Sequence, residues 1–432
     1  MIKRLRSFLR HDDPDRIVRG GLSNLAGLVL RVLSGLGVYM LVSRAFSPAA
    51  LGRFALLVAC ITVPAGISLL GMNHSLSRFV QEQLGRGSLA GACAVYRRMR
   101  SYALCSSLTV AALIFVNAGS VAGLFRNSGI TPDQIRFAAL VIPFFAFMTL
   151  NRGLLRAHHQ NNAYAWFHFL PSLLCGLFLL ATIAVGGKSA NNSLPVQAYA
   201  AGVLIATLIS VKLTHPYSTG GKTRDIPGIA TVFRVSFSVF LLFIMHTLTP
   251  EMEILLLGYW VKDTTLAAYS LALRISAFAG FIHTALSVPL VPKIAEKHYQ
   301  GRFTELEIMY GRTTRRMLAL TLALGVGLIA GSPLILALFG KNYAIAWLPL
   351  VLLVTTHVVF AATGPVANYL IMTGHEHACT LILGFSLVLI MALQVMLIPV
   401  MGINGAALAH LAGFGIQRLL LEAYRRRIRP AG

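Results

Sequence analysis

The feature that most constrains this sequence is a succession of apolar runs, each about twenty residues long, from near residue 20 to near residue 422. A helix rising 1.5 Å per residue needs about that length to cross a hydrocarbon core about 30 Å thick. The short alternating segments of a membrane β-barrel are absent. Hydrophobic residues make up 56% of the chain, charged residues 12%, and the mean hydropathy is +0.72, whereas soluble domains carry about one quarter charged residues. The chain therefore reads as an all-α polytopic membrane protein. Apolar length, loop polarity and Pro/Gly punctuation place twelve spans, at about 20–43, 54–74, 101–118, 136–156, 163–186, 196–213, 235–260, 266–291, 317–339, 344–371, 379–400 and 404–422. The basic start "MIKRLRSFLR" runs into "HDDPD" with no small-residue cleavage site, so no cleaved signal peptide is expected.

The formal net charge is +23. Nucleic acid would require a basic patch, but here the basic residues punctuate the spans. With the N-terminus inside, 28 of the 37 Lys and Arg fall on the inner side, 7 on the outer side and 2, Arg31 and Arg274, within spans. That asymmetry predicts a multi-pass protein with both termini cytoplasmic. The five cysteines form no CxxC pair. Four lie in apolar runs and Cys93 in a basic loop, so they read as small buried residues and not as a metal or disulfide framework.

Sliding the chain against itself by about 215 residues sets "SPAALGRFALL" near "DTTLAAYSLAL" and "RFVQEQLGRGSLAGACAVYRRMR" near "KIAEKHYQGRFTELEIMYGRTTRRM". The offset covers an even number of spans, which predicts two six-helix repeats of like orientation with a substrate site between them. The expected division is an N-terminal tail (1–19), an N-lobe (20–215), a linker (216–234), a C-lobe (235–422) and a basic tail (423–432). No phosphate-cradling GxxxxGK[ST] occurs, and no loop is long enough for a soluble ATPase. No cofactor is expected; the energy source would be a gradient or the substrate itself.

"EILLLGYWVKDTTLAAYSLALRI", "VPLVPKIAEKHYQGRFTEL", "ILALFGKNYAIAWLPLVLL" and "LIPVMGINGAALAH" resemble the polysaccharide-export branch of the multidrug/oligosaccharidyl-lipid/polysaccharide exporter superfamily, which includes the Wzx-type flippases. "LVSRAFSPAALGRFALLV" resembles its opening hairpin, and the similarity runs from about residue 20 to about residue 415. The resemblance implies a MATE-like, two-lobed, alternating-access protein of the bacterial cytoplasmic membrane. It further implies translocation of an undecaprenyl-pyrophosphate-linked oligosaccharide for O-antigen, capsule or exopolysaccharide synthesis. Membrane lipids, a polysaccharide polymerase and chain-length proteins are the implied partners, and the chain is expected to be a monomer. One departure is Glu253, where many relatives carry Asp.

Such a substrate needs a wet groove with cations for its phosphates. Arg31 lies mid-span, where an unpartnered cation costs at least about 2.5 kcal/mol. Asn24, Arg31 and Ser34 or Gly35 share a helical face with Gly27 and form a candidate groove wall; the alternative is an arginine that snorkels or pairs within the bundle. The repeat offset maps Arg31 onto His246, which would contact phosphate, sense pH or simply bond within the core. Glu253 and Arg274 are equidistant from a turn near residue 263, so they are expected to pair, as a structural ion pair or as a coupling site that releases Arg274. Glu251 is about 200° around the helix from Glu253 and is ranked below it, unless Pro250 distorts the turn. Arg152 and Arg156, one turn apart, would guide a diphosphate inward. "YRRMR", "RTTRR" and "YRRRIRP" read as topology signals facing anionic lipid. "HHQNN" and "TGHEH" are weak metal patterns, and no metal is expected.

The rival within the superfamily is a drug or cation antiporter, which an acidic cleft would favour and Arg31 disfavours. A membrane glycosyltransferase or glycan ligase would need a sizeable outer loop bearing catalytic acids; the outer loops here are short and hold only Asp133 and Asp263.

Overall fold

The computed structural model describes residues 14–186, 192–219, 228, 232, 233, 236, 240 and 244–428. The start of the N-terminal tail, most of the expected 216–234 linker and residues 429–432 lie outside the described residues. Every regular element among the described residues is helical. The first half comprises α1 (Pro14–Ala45), α2 (Pro48–Leu69), α3 (Met72–Gly85), α4 (Leu89–Val116), the short α5 (Ala118–Leu124), α6 (Pro132–Ala157), α7 (Asn161–Gly186) and α8 (Leu194–Ser218). The second half opens on a π-helical turn (Ile244–Leu248) that runs into α9 (Thr249–Trp260), then α10 (Asp263–Tyr299) and α11 (Phe303–Phe339). A 3₁₀ turn (Lys341–Ala346) leads to α12 (Trp347–Thr363), α13 (Val366–Met372) and α14 (Glu376–Arg427).

Ten of these stretches are long and apolar enough to cross a membrane. The last, α14, is two legs: Gly402 has φ 58° just after Pro399, and Gly413 packs directly on Ile390, so the chain doubles back. With the seventh span described only from residue 244, the arrangement matches the expected all-α, twelve-helix architecture. Large apolar side chains stand outward, among them Val116, Leu208, Leu334, Leu381 and Val400. A soluble monomer would not tolerate such a surface.

Helix ends follow local chemistry. Ser47 accepts from the Ala50 amide ahead of Pro48, Ser88 accepts from Gly91, and Thr131 with Gln134 closes a capping box ahead of Pro132. Four expectations need correction. The second span, expected over 54–74, breaks at Leu70 and Gly71, both with positive φ, and the tenth, expected over 344–371, breaks at Gly364–Pro365. The basic stretches near 78–100 and 293–316, expected as loops, are helical ends of α3, α4, α10 and α11. Arg, Lys, Gln and Glu are strong helix formers, and a helix leaving the bilayer already satisfies its own backbone. Cys93 accordingly sits buried on α4, not in a loop.

Between lipid-facing helices there is little hydrophobic driving force, so close packing and internal hydrogen bonds decide association. In the first half α1 packs on α7 and α4 on α6; in the second, α11 packs on α12 and α12 on α14. Within the first half Tyr96 donates to Asn151 at 2.6 Å and Asn151 to Ser210 at 2.9 Å, a buried chain linking α4, α6 and α8. Across the halves α10 lies against α2 and α1, and α9 against α2. Gly52 makes this approach possible, because a Cβ there would overlap the Asp263 carbonyl.

Candidate functional site

The crossing of α1, α2, α9 and α10 is fastened at the end of the molecule opposite the described chain ends. There Arg53 pairs with Asp263 at 3.2 Å, Arg44 donates to the Leu338 carbonyl at 2.8 Å, and the Asn127 amide reaches the Tyr259 and Trp260 carbonyls. Directly beneath, between the halves, lies a cavity of about 570 Å³. Its charged lining is Arg31, Arg152, Arg274 and Glu251, with four histidines, His168, His283, His357 and His410.

On α1 the cavity face is Leu28, Arg31, Val32, Gly35, Val38 and Tyr39, a helical stripe of i, i+3, i+4 and i+7. Arg31 is therefore where the sequence places it, and Gly35 leaves space beside it. Ser34 is not on this wall; its hydroxyl donates to the Arg31 carbonyl at 3.1 Å, a local back-bond that turns it from the cavity. Asn24 is on helix α1, but its side chain lies outside the described residues, as does that of His246. The backbone of His246 sits in the π-helical turn whose neighbours Met245, Thr247 and Leu248 line the cavity.

Arg152 enters the cavity from α6, while Arg156, one turn later, is exposed and does not line it. Both guanidinium groups lie over the Tyr164 ring, at 5.6 and 5.8 Å. Among the described residues no carboxylate pairs with Arg31 or Arg152.

The two glutamates exchange the roles expected of them. Arg274 pairs with Glu251 at 2.9 Å, not with Glu253. Glu251 lines the cavity, its second oxygen has no hydrogen-bond partner, and Arg274 also lies over the Tyr39 ring at 5.6 Å. Glu253 is completely buried away from the cavity. It accepts from Tyr269 at 2.8 Å and lies 2.6 Å from Nδ1 of His410, which reaches it from α14. Depth matching holds for either glutamate; azimuth decides between them, and Pro250 with the π-helical turn before it sets that azimuth.

Sequence reasoning missed His168, His283, His357 and His410 on the cavity and Tyr269 behind it. The signal was present for the histidines, since an ionisable residue inside a span is a site candidate by default. Arg418, counted among the inner-side topology charges, is in fact buried.

A family model described as "Polysaccharide biosynthesis protein" matches residues 41–352. No curated protein matches the sequence. Among solved structures, the chain is similar to an inward-facing multidrug resistance MATE family transporter of the MOP superfamily, with TM-score 0.66 and 16% identity over 94% of each chain. It is similar also to a MATE protein in complex with MaL6, with TM-score 0.64 and 15% identity over 95% of each chain. An outward-facing multidrug resistance MATE transporter matches with TM-score 0.61 and 16% identity, again over 95% of each chain. At these identities the similarity is one of fold.

Proposed function

The chain belongs to the polysaccharide biosynthesis protein family, and from that premise we propose that it is a flippase for a lipid-linked oligosaccharide carrying a diphosphate. The observation that carries this reading is the charge of the central cavity. Three arginines face it against one glutamate, and that glutamate is already neutralised by Arg274. Arg31 and Arg152 are left to meet an anion. A guanidinium offers forked donors that fit phosphate oxygens, and the low dielectric of a membrane cavity strengthens the contact. The hydrated sugar would occupy the cavity between the halves, and the lipid tail would stay in the bilayer.

The far-end contacts, Arg53 with Asp263 and Arg44 with Leu338, favour a state loaded from the side of the chain ends. Taking that side as cytoplasmic, as the Lys and Arg distribution suggests, substrate enters from the inner leaflet. Release requires these contacts to open while the two halves rock. Glu251, which lines the cavity and holds Arg274 through one oxygen, is placed to exchange Arg274 for a proton or cation during that motion. A cationic drug is the poorer fit, because it would meet an excess of arginine.

Reconstitution tests the reading. Purified protein in liposomes should move a prenyl-diphosphate-linked sugar between leaflets, measured with and without a pH gradient, and Arg31→Ala should abolish the movement. Intact movement and binding in Arg31→Ala would sink the cationic-cavity mechanism; export of cationic dyes with no movement of the glycolipid would favour the antiporter.

A further inference from the structure

Arg418 lies on the second leg of α14 with 2% of its surface exposed. Among the described residues its Nε has no hydrogen-bond partner and its Nη1 reaches only the Gly364 carbonyl, at 3.5 Å. The Phe360 ring covers one face of the guanidinium, 3.7 Å from centroid to Cζ. Among the described residues no carboxylate pairs with it. The contrast is Arg425, two turns along the same helix, which is held by Glu307 and Glu422. An arginine does not shed its proton, so a charge buried in this way stays a charge and calls for a counter-ion.

Arg418 borders a second cavity of about 250 Å³, whose polar lining is completed by His283, Thr284, Ser287 and Asn368, with no Asp or Glu among the described lining residues. At bulk water density that space would hold roughly eight waters, enough for a phosphate group and part of its hydration. Sequence builds it locally. Thr284 and Ser287 are three residues apart on α10 and so share a face with His283; their hydroxyls donate to the Gly280 and His283 carbonyls at 3.4 and 2.6 Å, and rotate from these back-bonds to donate to an anion. On the opposite side Gly364, at φ 62° and with no room for a Cβ beside Thr314, separates α12 from α13 and aims its carbonyl at Arg418. His283 and Thr284 also line the central cavity, which makes this space a side chamber of it.

From the unpaired guanidinium, the hydroxyl and amide groups around it and the absence of acids, we infer that this chamber binds a phosphate-type oxyanion, a phosphate monoester or diphosphate. It is separate from the Arg31, Arg152 and Arg274 cluster, none of which borders it. The anion site stands on its own geometry; its use as a station for the diphosphate of a transported lipid rests on the flippase reading.

The test is equilibrium binding of inorganic pyrophosphate to the purified full chain in maltoside micelles, which contain no phosphate. An Arg31→Gln, Arg152→Gln background removes the two arginines of the central cluster that have no carboxylate partner and leaves Arg274 neutralised by Glu251. Saturable binding should persist there and weaken about tenfold or more on adding Arg418→Gln. Thr284→Val with Ser287→Ala, which leaves the charge in place, should weaken it several-fold, and that pair decides the matter if Arg418→Gln does not fold. No saturable binding in the background, or binding indifferent to both sets of substitutions, overturns the inference. Competition then identifies the source of the anion. Displacement by a short prenyl diphosphate but not by phosphatidylglycerol supports a substrate station. Displacement by phosphatidylglycerol assigns the chamber to bilayer headgroups and removes it from the transport path, with the anion site intact. If the liposome assay shows no movement while Arg418-dependent binding persists, the flippase reading fails and the anion site stands.

Discussion

The two walls of the central cavity carry charge in opposite ways. The wall from the first half presents Arg31 and Arg152, with which no carboxylate pairs among the described residues, and Arg152 lies over the Tyr164 ring. The wall from the second half presents its charge in closed sets, Arg274 with Glu251 and, behind it, Glu253 with Tyr269 and His410. A paired charge in a low-dielectric interior is a structural element whose loss leaves its partner stranded. An unpaired one is a standing vacancy for a ligand. The first wall is thus suited to hold an anion and the second to respond to its arrival, and the same distinction separates Arg418 from Arg425 on α14.

If this contrast is correct, substitutions on the two walls should fail differently. The largest effect is expected from Arg31→Gln with Arg152→Gln. Two charge-assisted contacts at about 1.5–3 kcal/mol each would lower substrate movement by roughly a hundredfold or more, while the melting temperature in detergent stays the same or rises. A melting temperature that falls in step with transport would place these arginines among the structural charges and erase the difference between the walls.

Next is Glu251→Gln, which strands Arg274 and should cost about 3 kcal/mol. Adding Arg274→Gln should recover most of it in thermal unfolding. The corresponding pair Glu253→Gln, Arg274→Gln should show no recovery, since the two residues do not touch. Recovery in the second pair and not in the first would restore the pairing that residue counting suggests.

That reversal marks what the sequence makes legible. The spans and the face of α1 that carries Arg31 follow from one-dimensional quantities, run length and helical period, and these survive folding because the bilayer enforces them. Arg31 and Arg152 were therefore readable. Glu251 and Glu253 were not separable, because their depth is set by the turn at Val261–Lys262 while their facing is set by a π-helical turn that no residue pattern announces. His410 was hidden for another reason. It meets Glu253 across 157 positions of chain, and its partner emerges only once α14 folds back at Gly402. Arg418 was misassigned because a basic residue near a span end ordinarily marks topology, and burial is a tertiary property.

A smaller effect is expected behind the second wall. Glu253→Gln keeps the shape of the side chain and replaces one acceptor with a donor, so one of Tyr269 and His410 must turn from donor to acceptor and the buried set loses its charge-assisted bonds. The expected loss is about 1–2 kcal/mol, read as a lower melting temperature, with pyrophosphate binding in the cavity unchanged because Glu253 does not line it. A change in anion affinity at constant stability would show that this buried set communicates with the first wall.

The smallest effect tests the aromatic support of Arg152 on the first wall. Tyr164 lies under both Arg152 and Arg156, with guanidinium-to-ring distances of 5.6 and 5.8 Å. An aromatic face stabilises a cation at such a partly exposed site by about 0.5–1 kcal/mol, and it does so without consuming the hydrogen-bond donors that an anion needs. Tyr164→Leu removes the face and keeps the bulk. Pyrophosphate affinity should fall roughly threefold, with stability nearly unchanged, because an arginine without its ring is freer to leave the cavity for water. Tyr164→Phe should behave as the parent, since the ring and not the hydroxyl holds the cation. Were Tyr164→Phe as weak as Tyr164→Leu, the hydroxyl would be the contact that matters, and Arg152 would be presented by a hydrogen bond instead of by an aromatic shelf.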